Sequence, residues 1–447
     1  MSSSSWLPAS SRLRSRDFLF GVATASFQIE GSVDVDGRLP SIWDTYCDTP
    51  GKVANGDTGK VACDHYNRWA EDVELIESLG LDAYRLSLAW PRLITRAGKA
   101  NEKGFDFYKR LLDKLGEKGI KRFVTLYHWD LPQWIEDRGG WVSRETAYRY
   151  AEYVDIATRE LAGRVEAWAT FNEPWCTAWI GYAEGRQAPG HTDPVLALAA
   201  GHHLMLAHGL AVPVIRENDP GAKVGIVLNL QPATAATDSR EDRYAAKLAE
   251  VGQNDWFLGP LLKGQYDPRF FELRGAVPAV VPGDLDIIQQ PLDYLGVNYY
   301  FRAYVSAAGA HGYKDMPLKG VERTQMGWEV YPEGLAYQLV TIKQDYPDLP
   351  PVYITENGMA SDDKVVDGEV EDDSRIYFFQ RHLTAVSEAM DAGVEVSGYF
   401  AWSLMDNFEW SYGYEKRFGI CHVDYDTQVR TPKKSAYWLR DFVSKRS

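Results

Sequence analysis

An alternation sustained along the whole chain constrains its fold more than any other feature. Short runs rich in Val, Ile, Phe, Tyr and Leu fall at 18–23, 83–88, 123–127, 167–171, 224–228, 294–297, 352–355 and 397–401. Longer amphipathic stretches lie between and after them, at 64–79, 104–118, 143–161, 194–217, 239–257, 332–343, 373–392 and 433–445. The short runs read as buried strands and the stretches between them as helices. Eight such units make a (β/α)8 barrel, although a doubly wound sheet is built from the same unit. A minimal barrel needs about 250 residues, and the chain has 447. The surplus falls in gaps after strands one, four, six and seven, on the carboxyl side, where barrels assemble their sites. One gap carries Asp367-Gly368 in a hairpin context. The expectation is an α/β protein with a disordered tail over 1–16 and a single-domain (β/α)8 TIM barrel with long βα loops over 17–447.

Charge and cysteine usage narrow the class. The formal charge is −15, from 48 Lys and Arg against 63 Asp and Glu. That balance opposes a nucleic-acid or anionic-membrane partner. Four cysteines are too few for a disulfide scaffold and fit a reducing compartment. The amino-terminal residues are Ser- and Arg-rich, without the apolar core of a signal peptide. No later run is expected to span a membrane. A cytoplasmic protein follows, with its oligomeric state open. His202, His203 and His208 lack metalloprotease spacing and are expected on a helix surface, with no metal. No phosphate-cradling glycine loop follows the first strand, so no cofactor is expected.

Polar residues stand where the strands end. Strand one runs into Gln28 and Glu30, and strand two contains Arg85. Strand three ends in His128-Trp129-Asp130, strand four in Asn172-Glu173 and strand five in Asn229. Strand six ends in Asn298-Tyr299-Tyr300, strand seven in Glu356-Asn357 and strand eight in Trp402. Buried polar groups are costly without partners. At the carboxyl end of a barrel they can converge on one pocket instead. Glu173 and Glu356 end strands that face each other across a barrel. Two opposed carboxyls are what glycoside hydrolysis needs, one to protonate the leaving oxygen and one to attack the sugar carbon or activate water. At about 5.5 Å and an effective dielectric of ~20, two carboxylates repel by roughly 3 kcal/mol, about two pKa units. One of them therefore holds its proton near neutrality. Glu173, followed by Pro-Trp, is the candidate for the raised carboxyl, and Arg85 with Tyr300 can keep Glu356 ionised.

Phe171-Asn172-Glu173-Pro174-Trp175 and Ile354-Thr355-Glu356-Asn357-Gly358 resemble the two signatures of glycoside hydrolase family one, the β-glucosidase family. The resemblance begins at Phe18 and continues through Tyr127-His128-Trp129-Asp130. It closes with Trp402-Ser-Leu-Met-Asp-Asn-Phe408-Glu409-Trp410 and Arg417-Phe418-Gly419. It implies retaining hydrolysis of β-glycosides, with Glu173 as acid/base and Glu356 as nucleophile. It also implies that Gln28, His128, Asn172, Glu409 and Trp410 bind the terminal sugar over a Trp402 floor, with Trp129 and Phe418 in the same substrate-binding set. Asn298 and Tyr300 would flank the nucleophile, Arg85 would lie behind it and Trp328 would line the entrance. Glu at the acid position departs from the thioglucosidase branch, which carries Gln. Glu409-Trp410 departs from the phosphate-binding branch, since a carboxylate repels phosphate. Gln187 replaces a residue that is usually His or another bulky group, in an outer loop, and bears on the leaving group. Galactose or fucose specificity, a silent sugar-binding module and an endo-acting barrel are the alternatives.

Overall fold

Burial on both faces accounts for strands without polar–apolar alternation. The computed structural model describes residues 6–278, 280–309 and 312–446. Its central strands are β1 (Leu19–Ala23), β2 (Ala83–Ser87), β3 (Lys121–Thr125), β4 (Ala167–Asn172), β5 (Lys223–Asn229), β6 (Tyr294–Asn298), β7 (Val352–Asn357) and β8 (Val396–Trp402). They pair in parallel with their sequence neighbours, and β8 pairs with β1 to close a barrel. Around it lie α1 (His65–Ser78), α2 (Glu102–Glu117), α3 (Arg144–Glu160), α4 (Pro194–Asn218), α5 (Arg240–Glu250), α6 (Pro332–Asp345), α7 (Asp373–Asp391) and α8 (Lys434–Ser444). Each expected strand and helix is present to within a few residues, with one break. The helix expected over 239–257 ends at Glu250, passes through a wide π-turn at Val251–Asp255 and restarts as Trp256–Lys263. The turn is held by Asn254, which hydrogen-bonds the backbone of Gln231 in both directions at 2.9 Å.

The lower barrel is filled by aromatic rings set opposite glycines. Phe123 lies 4.9 Å from Phe400 and 5.2 Å from Tyr353, ring centre to ring centre. A Cβ on Gly21 would come within 2.6 Å of the Phe400 ring, and one on Gly225 within 2.6 Å of the Tyr294 ring. Only a residue without a side chain leaves those rings room. Large against small closes the floor of the barrel, so the pocket above it opens only at the carboxyl end.

Three expectations need correction. The supposed disordered tail is packed from Trp6 onward: Trp6 lies 5.7 Å from Trp438 and 5.4 Å from Phe442 of α8, and Leu7 and Leu13 are buried. Polar composition hid three apolar anchors; residues 1–5 lie outside the described residues. Helix α4 is long and apolar enough to cross a membrane by length and composition, contrary to expectation, but most of it is buried within the protein. Its histidines are interior too. His208 bonds Thr170 at 2.7 Å, His202 bonds Asp284 at 2.9 Å and His203 bonds the Trp141 carbonyl at 2.9 Å.

The Asp367-Gly368 turn forms as expected, with φ of 52° and 82° and a bridge between Val366 and Glu369. The segment from β8 to α8 is also long, which the spacing of the strands did not signal. It is anchored by a buried charge network. Asp406 accepts from Lys433 Nζ at 2.8 Å, Arg417 Nη1 at 2.8 Å and the Gly419 amide at 2.9 Å, and Asp363 accepts from Lys433 at 2.5 Å and Arg375 at 2.6 Å. Removing one partner of such a network strands the others. Asp406→Ala is expected to cost about 3–5 kcal/mol, read as a lower urea midpoint with an unchanged slope.

Candidate active site

The two candidate glutamates face the pocket because their strands end irregularly. Side chains alternate between faces along a strand. In β4, Trp168 bonds Asp219 and Thr170 bonds His208, both outside the barrel. Phe171 also points outward, against Tyr150, so two consecutive side chains share a face. The register with β5 shifts between Ala169 and Asn172, which turns Asn172 inward. In β7 the register with β6 shifts between Ile354 and Glu356. Thr355 bonds Asn298 inside, and Glu356 also points inside, to Arg85. Irregularities of this kind re-aim side chains beside active sites. Glu173, Trp129 and Trp410 have φ of 46°, 79° and 51°, a left-handed backbone that non-glycine residues seldom adopt.

Both oxygens of Glu356 accept hydrogen bonds. Arg85 Nη1 donates to Oε1 at 2.6 Å, and the Tyr300 hydroxyl donates to Oε2 at 2.7 Å. Arg85 Nη2 donates to Asn172 Oδ1 at 2.6 Å. Thr355 Oγ1 donates to Asn298 Oδ1 at 2.7 Å, which sets the direction of that amide. Asn298 Nδ2 then reaches Asn172 Oδ1 at 3.1 Å and Glu173 Oε1 at 2.6 Å. Burial, reinforced by the charge of Glu356, pushes the Glu173 carboxyl up to about 7. Burial, then Glu356 and Glu173, likewise pushes Glu409 up to about 8. Burial, then Arg85, holds His128 well below the usual imidazole range, so the ring is neutral and its Nε2 pairs with Asn172 Nδ2 at 3.1 Å.

These groups open into a cavity of about 1210 Å³. Every expected site residue lines it except Gln28, Arg85 and Asn172. Gln28 is fully buried and donates to Asn407 Oδ1 at 3.0 Å and the Phe408 carbonyl at 2.8 Å, beside the segment that carries Glu409. Trp402 and Trp410 both stack near the His128 ring, 5.9 Å from it, and Trp328 lies 6.0 Å from Phe418 and 5.3 Å from Tyr300. Asn229, the strand-end residue of β5, lines the cavity too, whereas Glu30, Asp130 and Asn357 do not converge. Glu30 pairs with Arg92 at 2.9 Å, Asp130 accepts from Ser26 at 2.9 Å, and Asn357 bonds the Tyr299 carbonyl at 2.7 Å and the Tyr399 hydroxyl at 2.6 Å. Gln187, expected in an outer loop, lines the cavity. Cys176 and Thr355 were missed as site residues. Cys176 Sγ lies 3.0 Å from Glu173 Oε2. Its three-residue spacing from Glu173 is the signal that could have found it.

A (β/α)8 barrel with two buried glutamates at the ends of β4 and β7, one paired with arginine and one protonated near neutrality, defines a glycoside hydrolase. The sequence matches the family model described as Glycosyl hydrolase family 1 over residues 11–447. It is 48% identical over 435 residues to a beta-glucosidase of Agrobacterium sp., covering 96% of this chain and 95% of that one. It is 45% identical over 462 residues to a bifunctional beta-D-glucosidase/beta-D-fucosidase of Bifidobacterium breve, covering 97% and 98%. The structure of beta-glucosidase from Thermotoga maritima in complex with glucoimidazole is similar with a TM-score of 0.94 at 46% identity, covering 97% of this chain and 99% of that one. The chain belongs to glycosyl hydrolase family 1.

Gly358 supplies a test of how closely β7 and β8 must approach. A Cβ there would lie 1.9 Å from the Trp402 carbonyl oxygen. Gly358→Ala is expected to shift the Glu356 strand end and lower kcat/KM by about 10²-fold, with folding checked by circular dichroism.

Proposed function

We propose that this chain is a retaining β-glucosidase that releases β-D-glucosyl units from the non-reducing ends of disaccharides, short oligosaccharides and aryl glucosides. The observation that carries the reading is the unequal treatment of two buried carboxyls. Glu356 is bracketed by Arg85 and Tyr300, while burial lifts Glu173 to about 7. An ionised Glu356 attacks the anomeric carbon as Glu173 gives its proton to the departing oxygen. The glycosyl ester that forms has no charge on Glu356, so Glu173 loses the neighbour that raised it and can accept a proton from water.

Recognition of the sugar follows from the walls. Trp402 gives an apolar face for the ring, with Trp129, Trp410 and Phe418 around it. Gln28 Oε1 and His128 Nδ1 are buried without a partner, as suits groups that bond sugar hydroxyls. Asn172, Asn298, Tyr300 and Glu409 add polar groups, and Trp328 takes the leaving group. The cavity is larger than one glucose, which suits a substrate with an aglycone. Activity on β-fucosides is the second reading, favoured by the bifunctional relative. Four free, buried cysteines agree with a cytoplasmic location.

Glu356→Ala is expected to lower aryl β-glucoside hydrolysis by several orders of magnitude. Added azide should restore turnover and give the inverted α-glucosyl azide, because the small anion attacks from the emptied side. Equal activity in variant and wild type would sink the reading. The pH profile is a second check. Glu173 acts as the acid only while protonated, so the alkaline limb of kcat/KM falls as pH rises through about 7.

A further inference from the structure

Glu173 has two oxygens, and the structure distinguishes their tasks. Thr355 holds the Asn298 carbonyl oxygen, so Asn298 can present only its NH2 group to Glu173 Oε1, at 2.6 Å. An oxygen that accepts so short a bond is the poorer seat for the proton. Oε2, which accepts only from the weaker thiol donor of Cys176 at 3.0 Å, is the better seat for the proton. Cys176 lies in the cavity wall, at the start of the π-helix Cys176–Glu184, and its amide bonds the Glu173 carbonyl at 2.9 Å. Asn229 Nδ2 approaches the sulfur from the other side at 3.5 Å. Asn229, at the end of β5, thus donates to a sulfur whose own hydrogen is directed at the carboxyl.

We propose that Cys176 is a positioning residue for the acid/base: its thiol hydrogen bond fixes the rotation of the Glu173 carboxyl and aims Oε2 at the glycosidic oxygen. The proposal rests on the acid/base reading of Glu173. During glycosylation the Oε2 proton passes to the leaving oxygen, the bond from that oxygen to the anomeric carbon breaks with its electron pair going to oxygen, and Glu356 forms the ester. Cys176 keeps its proton throughout, as burial and the adjacent Glu173 push its thiol far above the usual range. In the ionised carboxylate the thiol bond strengthens and holds Oε2 in place for the return of a proton from water. The other charged and titratable groups that bear on Glu173 are Glu356 of β7, Arg85 of β2, Tyr300 beyond β6 and Glu409 beyond β8, while Arg186 bears on the sulfur and neutral His128 stands on the same cavity wall. None of them changes in the variants below.

Two variants move the pH profile in opposite directions. Serine is the stronger donor, and a donor to the carboxylate favours its ionised form. Cys176→Ser is expected to move the alkaline limb of kcat/KM downward by roughly 0.5–1 unit, and Cys176→Ala to move it upward by a similar amount. Leaving groups give the second readout. Cys176→Ala is expected to lower kcat/KM by roughly 10-fold on an alkyl β-glucoside, whose glycosylation step needs protonation. It should leave kcat/KM on dinitrophenyl β-glucoside, whose glycosylation step does not, within about twofold. Both variants keeping the wild-type limb, both moving it the same way, or equal losses on both substrates would overturn the role of Cys176. A Glu173→Ala control with no leaving-group dependence would instead overturn the acid/base reading itself.

Discussion

One guanidinium inside the barrel sets the charge that the pocket can carry. Arg85 lies two residues beyond Ala83, which packs in the barrel floor, so the same face of β2 that supplies a small apolar side chain below supplies a cation above. Among the carboxyls that line the cavity, Glu173, Glu356 and Glu409 act on one another beside it. A single buried cation can balance one of them. Arg85 bonds Glu356, and burial with mutual repulsion pushes the other two to about 7 and about 8. The distribution of protons in the site is thus a consequence of where one arginine stands. A lysine in that place could not bond Glu356 and Asn172 through the two arms of a planar fork.

Geometry supplies what charge alone cannot. Regular strands would send two neighbouring side chains to opposite faces. The register shifts in β4 and β7 turn Asn172 toward the barrel interior and Glu356 into the pocket, and a left-handed backbone at Glu173 continues the turn. These irregularities cost stability locally. They persist because ordinary elements hold them on every side: the Glu173 amide bonds the Val227 carbonyl at 2.9 Å, and the Tyr299 amide bonds the Glu356 carbonyl at 3.0 Å. The rigid, ring-filled floor below gives those bonds a fixed base.

The legible part of the molecule was the part governed by periodicity and by residue type. Eight apolar runs gave the barrel, and strand-end polar residues gave Glu173, Glu356, Arg85 and Asn298. The register shifts were illegible because no residue in Ala169–Asn172 or in Ile354–Asn357 marks a bulge as glycine does. For the same reason Glu30, Asp130 and Asn357 looked equivalent to the site residues, although each bonds a partner outside the pocket. Whether a strand-end polar residue faces in or out depends on a one-residue offset. Cys176 escaped because a lone thiol is usually a small core residue. The tail was misread for a related reason: Trp6 finds its partners in α8 and Ser11 bonds Ser387 of α7, hundreds of residues away, and no local pattern reports that.

The reaction proposed for this site would not require the pocket to rearrange. In that proposal Glu356 would become an ester as Glu173 gives up its proton, so charge would pass from one carboxyl to the other while the sum with Arg85 stays unchanged. The path between them is already furnished with donors. Arg85 bonds both Glu356 and Asn172, and Asn298 bonds both Asn172 and Glu173. Each donor faces an oxygen that is charged at one stage or the other, so the preorganised dipoles serve both ends of the transfer. A site that needed a second cation for Glu173 would stabilise its anion before reaction and lose the acid. An amide is polar enough to hold the carboxylate once formed, yet uncharged, so it leaves the proton in place until the leaving group needs it.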